Sequence, residues 1–146
     1  MLFRNPGIDT TLGRATLGLL AGAAGGALMN ALYIVVLDTV TSGDGLADIL
    51  SGLFVFFVIC GLFWLLGAFL LAAPGWFILH SLNLRGPGTA VLHGAGLLGG
   101  GIRLMSPKVD MWGSYAVAGG IVGLIVWAAS YRTLQPSARV FEEAAA

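Results

Sequence analysis

Between Asp48 and Arg85 the chain carries no Asp, Glu, Lys or Arg. An uncharged, mostly apolar run of that length has few ways to fold in water. A spanning helix needs about 20 mostly apolar residues to cross a hydrocarbon core of about 30 Å. As one straight helix, residues 49–84 would reach about 54 Å, more than a single crossing needs. Pro74-Gly75 is the natural place for the run to bend or stop. Proline removes a backbone donor there, and its ring clashes with the preceding turn. The second crossing is therefore expected over residues 49–73. Residues 75–82 would follow as a short interfacial segment, with Trp76 as its aromatic anchor.

The remaining charges fall in clusters, and the clusters mark loops. Arg14 and Asp38 bracket a first apolar segment, expected to span as an uncleaved helix over residues 15–37. Asn83-Leu84-Arg85-Gly86-Pro87-Gly88 is turn chemistry, and Pro87 suits the first position of the next helix. A third span is expected over residues 88–105, ended by Pro107, with Arg103 in its last turn. A fourth is expected over residues 111–131, with Asp110 as N-cap and Trp112 and Tyr131 at its two ends. Residues 132–146 form a polar tail.

Composition excludes the competing classes. Apolar residues make up 58% of the 146 positions and charged residues 10%, and mean hydropathy is +0.92. An average soluble domain is roughly 25% charged. A soluble globular domain and a disordered tail are both excluded on that count. Seven basic residues balance seven acidic ones, so no basic field exists for nucleic acid. The expected fold is all-α: a polytopic membrane protein built as a four-transmembrane-helix bundle, one membrane domain over residues 1–146.

Orientation follows from the loop cations. With four spans, Arg4, Arg14, Arg85, Arg132 and Arg139 share one side, and only Arg103 and Lys108 lie on the other. The basic side faces the cytoplasm, so both ends are expected inside, N-in/C-in. A re-entrant third segment would instead move the C-terminus outside. Residues 119–127 look like the closing helix of many small bacterial membrane proteins. The expected location is therefore a bacterial cytoplasmic (inner) membrane.

Twenty-three glycines are more than twice the usual share of about 7%. Gly18, Gly22 and Gly26 recur every four residues, as do Gly96 and Gly100, and Gly119 and Gly123. Lipid tails are as apolar as leucine, so helices associate in a bilayer through close van der Waals contact, which small residues permit. Each tract is expected to be a glycine-zipper packing seam. Its partner helix belongs to the same chain, to a second copy or to another protein. Phe54, Phe56, Phe57, Phe63, Trp64 and Phe69 make the second span bulky around most of its circumference, which suits a peripheral position.

Few polar residues interrupt the apolar segments. Asn30 is expected to make an interhelical hydrogen bond, with a solute contact as the alternative. His80 and His93 are candidates for a bis-histidine haem site. Their simpler reading is an interfacial anchor for His80 and a hydrogen-bonded packing role for His93. Asp38, Asp44 and Asp48 do not follow the spacing of an EF-hand loop, so no metal site is expected. Cys60 is the sole cysteine, which excludes a disulfide framework within the chain. No serine–histidine–acid set, HExxH or phosphate loop occurs, so no catalytic residues are assigned.

The function expected from these features is that of a non-enzymatic accessory or structural subunit, or a self-assembling helix-packing scaffold. It would carry no cofactor. Its partners would be the lipid bilayer and other transmembrane helices, in a homo-oligomer or a larger membrane complex. The alternatives are a homo-oligomeric channel or transporter for a small solute, with Asn30 and His93 near the path, and a bis-histidine haem protein for electron transfer.

Overall fold

The computed structural model describes residues 2–4, 8–42, 45–106, 108 and 111–133. Asp44, Pro107, Asp110, Arg139 and the tail from residue 134 lie outside the described residues, and so do the roles expected of them. The fold is all-helical apart from one short pairing. Its helices are α1 (Leu12–Ser42), α2 (Leu46–Ser81), α3 (residues 87–105) and α4 (Trp112–Ser130). Two-residue strands β1 (Ile8–Asp9) and β2 (Arg132–Thr133) pair antiparallel, with Ile8 opposite Thr133. Both ends of the helical array therefore lie together. Three helices, α1, α2 and α4, are long and apolar enough to cross a membrane. The glycines, His93 and Arg103 of α3 keep it out of that group.

Pro74 does not stop α2, contrary to the expectation of a break there. The helix runs unbroken for 36 residues. It absorbs the proline by widening the turn before it: Ala68–Ala72 form a π turn, and the Ala73 N–H donates to the Ala68 carbonyl five residues back. The wider turn gives the ring the room that a regular α turn denies it. The helix ends instead at a left-handed residue. Asn83 has φ 58°, the Leu84 N–H donates to the Leu79 carbonyl at 2.9 Å, and Asn83 N–H donates to His80 at 3.0 Å. This is the paired 6→1 and 5→2 closure that follows a left-handed residue after a helix.

Pro87 opens α3, as its fixed φ favours. The free donors of the first turn are met from the far end of the chain. Gly88 N–H donates to the Leu2 carbonyl and Gly86 N–H to Phe3, both at 2.9 Å, while the Thr89 hydroxyl donates to the Phe3 carbonyl at 3.1 Å. Gly86 is required there, because a Cβ would stand 2.5 Å from the Leu2 carbonyl carbon. α3 has its own π turn at Gly96–Gly100. α4 starts after Met111, with no side-chain cap among the described residues.

The core is a line along α1. Ala15, Leu19, Ala23, Ala27, Ala31 and Val35 are buried, one every fourth residue. Four exceeds the 3.6 residues of a turn, so this line winds slowly around the helix. Near its start α1 faces α4: Gly18 meets Ser130 and Val126, and Gly22 meets Val126 and Val122. Further along it faces α2: Gly26 lies under the Trp64 ring, Gly61 sits against Ala27, and Gly52 against Val35. The spatial order of the helices is α2–α1–α4–α3. α2 has no buried residue along its length, so the bulky helix is the peripheral one.

Five of the seven glycines expected to pack, Gly18, Gly22, Gly26, Gly119 and Gly123, lie against a neighbouring helix. Between α3 and α4, Gly94 lies against the backbone of Gly119, Gly123 against Ala90, and Gly99 against Ala116. Gly96 and Gly100, expected in the seam, meet nothing within 4 Å. They sit in the π turn, where the extra residue rotates the following side of the helix away from the regular four-residue line.

Candidate functional site

The helices form an incomplete ring. α1 packs on α2, α1 on α4 and α4 on α3 along much of their lengths, whereas α2 and α3 approach each other mainly where the 82–86 turn joins them. Inside lies a cavity of about 430 Å³, partly open and lined by all four helices. Its size falls within the range of about 300–1,000 Å³ typical of small-molecule sites. Along α2 the lining runs from Cys60 to Leu79, roughly 28 Å at 1.5 Å per residue. The cavity is therefore elongated. Leu19, Phe63, Leu71, Leu97, Val122 and Val126 give it mainly apolar walls.

Polar groups gather at one end. The His80 Nδ1 lies 3.1 Å from the Tyr131 hydroxyl. The Trp76 ring stacks on His80 at 5.2 Å and tilts against Tyr131 at 6.0 Å. Trp127 Nε1–H donates to the Arg85 carbonyl at 2.8 Å, and Arg85 Nη1 donates to Ile8 at 3.3 Å. Trp76, expected as an interfacial anchor, packs its ring into this cluster, and its Nε1 is buried without a partner among the described residues. This aromatic cluster ties the end of α2, the end of α4 and the β1–β2 pairing into one unit.

His93 lies farther in. Its Nε2 is 3.3 Å from the Ala72 carbonyl, and its ring occupies the space left by the missing side chain of Gly75. It therefore bridges α3 to α2 at the end of the π turn, across the side where those helices diverge. The two histidines are not brought into one facing pair: each is engaged with a different partner. Among the described residues, no group of three His, Cys, Asp or Glu side chains is placed to hold a metal ion.

Asn30 sits at the other end. Leu19, Ala23 and Asn30 all line the cavity, and on α1 they fall within about 40° of one another at 100° per residue. The Asn30 side chain therefore shares the cavity-facing stripe. It makes no hydrogen bond to any described residue, so the interhelical bond expected of it is not formed among them. Cys60 lines the same end. Sequence reasoning read Trp76 and Tyr131 as interfacial aromatics only, and gave Trp127 and Thr89 no site role. Only their clustering at helix ends hinted at a shared location.

The class defined by these features is a helical protein with three helices long and apolar enough to cross a membrane, surrounding an elongated apolar cavity. No family model, curated protein or solved structure matches the chain. The functional reading therefore rests on its own residues.

Proposed function

We propose that this is a four-span, non-enzymatic protein of a bacterial cytoplasmic membrane, with both chain ends on the cytoplasmic side. We propose further that it binds an apolar, membrane-derived molecule in its central cavity. Two observations support the topology. The pairing of Ile8 with Thr133 puts the start of α1 beside the end of α4, which supports an even number of crossings. With α1, α2 and α4 each long enough to cross, this reading assigns the fourth passage to α3. Its weak hydropathy is offset by its shelter against α4, where Gly94 and Gly99 pack closely.

The observation that carries the binding reading is the incomplete fourth wall. A ring of helices closed on three sides and open between α2 and α3 offers its apolar interior to the surrounding hydrocarbon rather than to water. Glycine seams are one ground for expecting a scaffold. Most of them are satisfied within the chain, so they need no outside partner. The cavity walls are mainly apolar and few polar residues line them, which supports binding over catalysis.

Gentle extraction from the native membrane, followed by mass analysis of the intact particle, tests this reading. The expected result is a particle heavier than the chain by a small apolar molecule that is released on denaturation. A particle that is always free of bound molecules refutes it. A second reading, an accessory subunit or a homo-oligomer, has its own support. Gly96, Gly100 and Gly101 face open space, and a shallow groove beside α3 is lined by Val91, Val117, Gly120 and Leu124. In the same experiment, integer multiples of the chain or a fixed companion protein favour that reading.

A further inference from the structure

Asn30 lies near the middle of α1 and carries a carboxamide, which has two N–H donors and an acceptor oxygen. Placed in an apolar wall without a partner, such a group is costly unless something hydrogen-bonds to it. Ser, Thr and Asn side chains within membrane helices ordinarily find a neighbouring helix. Thr39 and Thr41 behave in the related way that hydroxyls can, returning to their own helix at Val35 and Leu37. Asn30 does neither. It faces the cavity on the same stripe as Leu19 and Ala23, one turn beyond Gly26 and the Trp64 ring that covers it.

Among the described residues that line the cavity, none beside Asn30 is charged. The cavity-lining cation is Arg85, which lies at the opposite end beside Trp127. A ligand group meeting Asn30 therefore meets a neutral amide among Cys60, Phe63 and Trp64, with no side-chain charge to balance one of its own.

Resting on the reading of the cavity as a site for a membrane-derived molecule, we infer that its occupant is a neutral, mainly hydrocarbon molecule bearing a carbonyl or hydroxyl group. The Asn30 carboxamide holds that group, and the molecule is admitted from the bilayer between α2 and α3. The carbonyl accepts from the amide N–H, or the hydroxyl both donates to and accepts from it. The hydrocarbon part lies along the apolar walls toward Leu71 and Leu97.

The cavity-lining tryptophans Trp64, Trp76 and Trp127 report on this site without added labels. The full chain carrying Trp112→Phe, which removes the exposed tryptophan at the start of α4, is placed in lipid nanodiscs. It is titrated with a chain-brominated fatty alcohol and with the bromoalkane of equal length, since bromine quenches tryptophan at short range. The alcohol is expected to quench saturably at a mole fraction about 3- to 10-fold lower than the alkane, the range that one hydrogen bond supplies. Asn30→Leu is expected to remove that preference while leaving the alkane curve unchanged.

Equal affinity for alcohol and alkane, or a preference that survives Asn30→Leu, overturns the role of Asn30 and leaves the binding reading intact. A brominated fatty acid that binds tighter than the alcohol overturns the neutral class and moves recognition to the Arg85 end. Quenching that rises linearly with every compound, without saturation, removes the cavity site itself. The matched pair of ligands on the chain with unaltered Asn30 decides the matter even where Asn30→Leu does not fold.

Discussion

Replacing Gly94 by alanine tests the packing argument at its tightest point. A Cβ at Gly94 would overlap the Gly119 carbonyl oxygen, stand 2.9 Å from the carbonyl carbon and lie 3.2 Å from the Gly123 Cα. Ordinary contact begins near 3.4 Å, so the carbonyl carbon alone demands a separation of about 0.5 Å, and the oxygen demands more. The obstacles are backbone atoms and cannot swing aside. α3 and α4 must move apart, and a gap of 0.5–1 Å forfeits roughly a quarter to a half of each facing dispersion contact. Overpacking of this kind costs about 1–3 kcal/mol. Alanine returns up to about 1 kcal/mol through its better helix propensity. The net loss expected is about 1–2 kcal/mol. Gly100→Ala, six residues on in the same helix, meets nothing within 4 Å and should be neutral or gain up to about 1 kcal/mol. Reversible unfolding in mixed micelles, followed by helical circular dichroism, measures both. Equal effects at the two positions, or a stable Gly94→Ala, would refute the seam.

Two further outcomes are expected. In a Cys60→Ala background, Thr11→Cys and Asn83→Cys should react with an impermeant maleimide from the cytoplasmic face, and Gly45→Cys and Lys108→Cys from the other; Thr11 and Asn83 labelling from opposite faces would end the four-span topology. His93→Leu should cost about 0.5–1.5 kcal/mol for the lost contact with Ala72 and speed amide exchange around residues 68–76, whereas unchanged exchange there would show that the bridge does not hold the π turn.

Much of the architecture is legible in the residues because the solvent rule is strict. Hydrocarbon satisfies no backbone group, so long uncharged runs become helices, and charges gather where those runs end. That logic locates all four helices, places Pro87 at the start of α3 and marks α2 as peripheral through its ring of aromatic side chains. It also explains why the glycines of α1 pack: Gly18, Gly22 and Gly26 share one side with the buried alanine line. The same reasoning falls short at Pro74. A proline rule assumes a regular α turn, and the π turn at Ala68–Ala72 is a property of the three-dimensional path.

The order of amino acids thus settled which segments are helical and which of their faces are small, because period and composition are local properties. What covers each face was decided by tertiary structure. The shift from Gly96 and Gly100 to Gly94 and Gly99, the packing of Trp76 against His80 and Tyr131, and the Asn30 amide left without a partner among the described residues all depend on how four helices diverge. Helix periodicity says which way a side chain points, and only the separation of its neighbours says whether it meets an atom or a space.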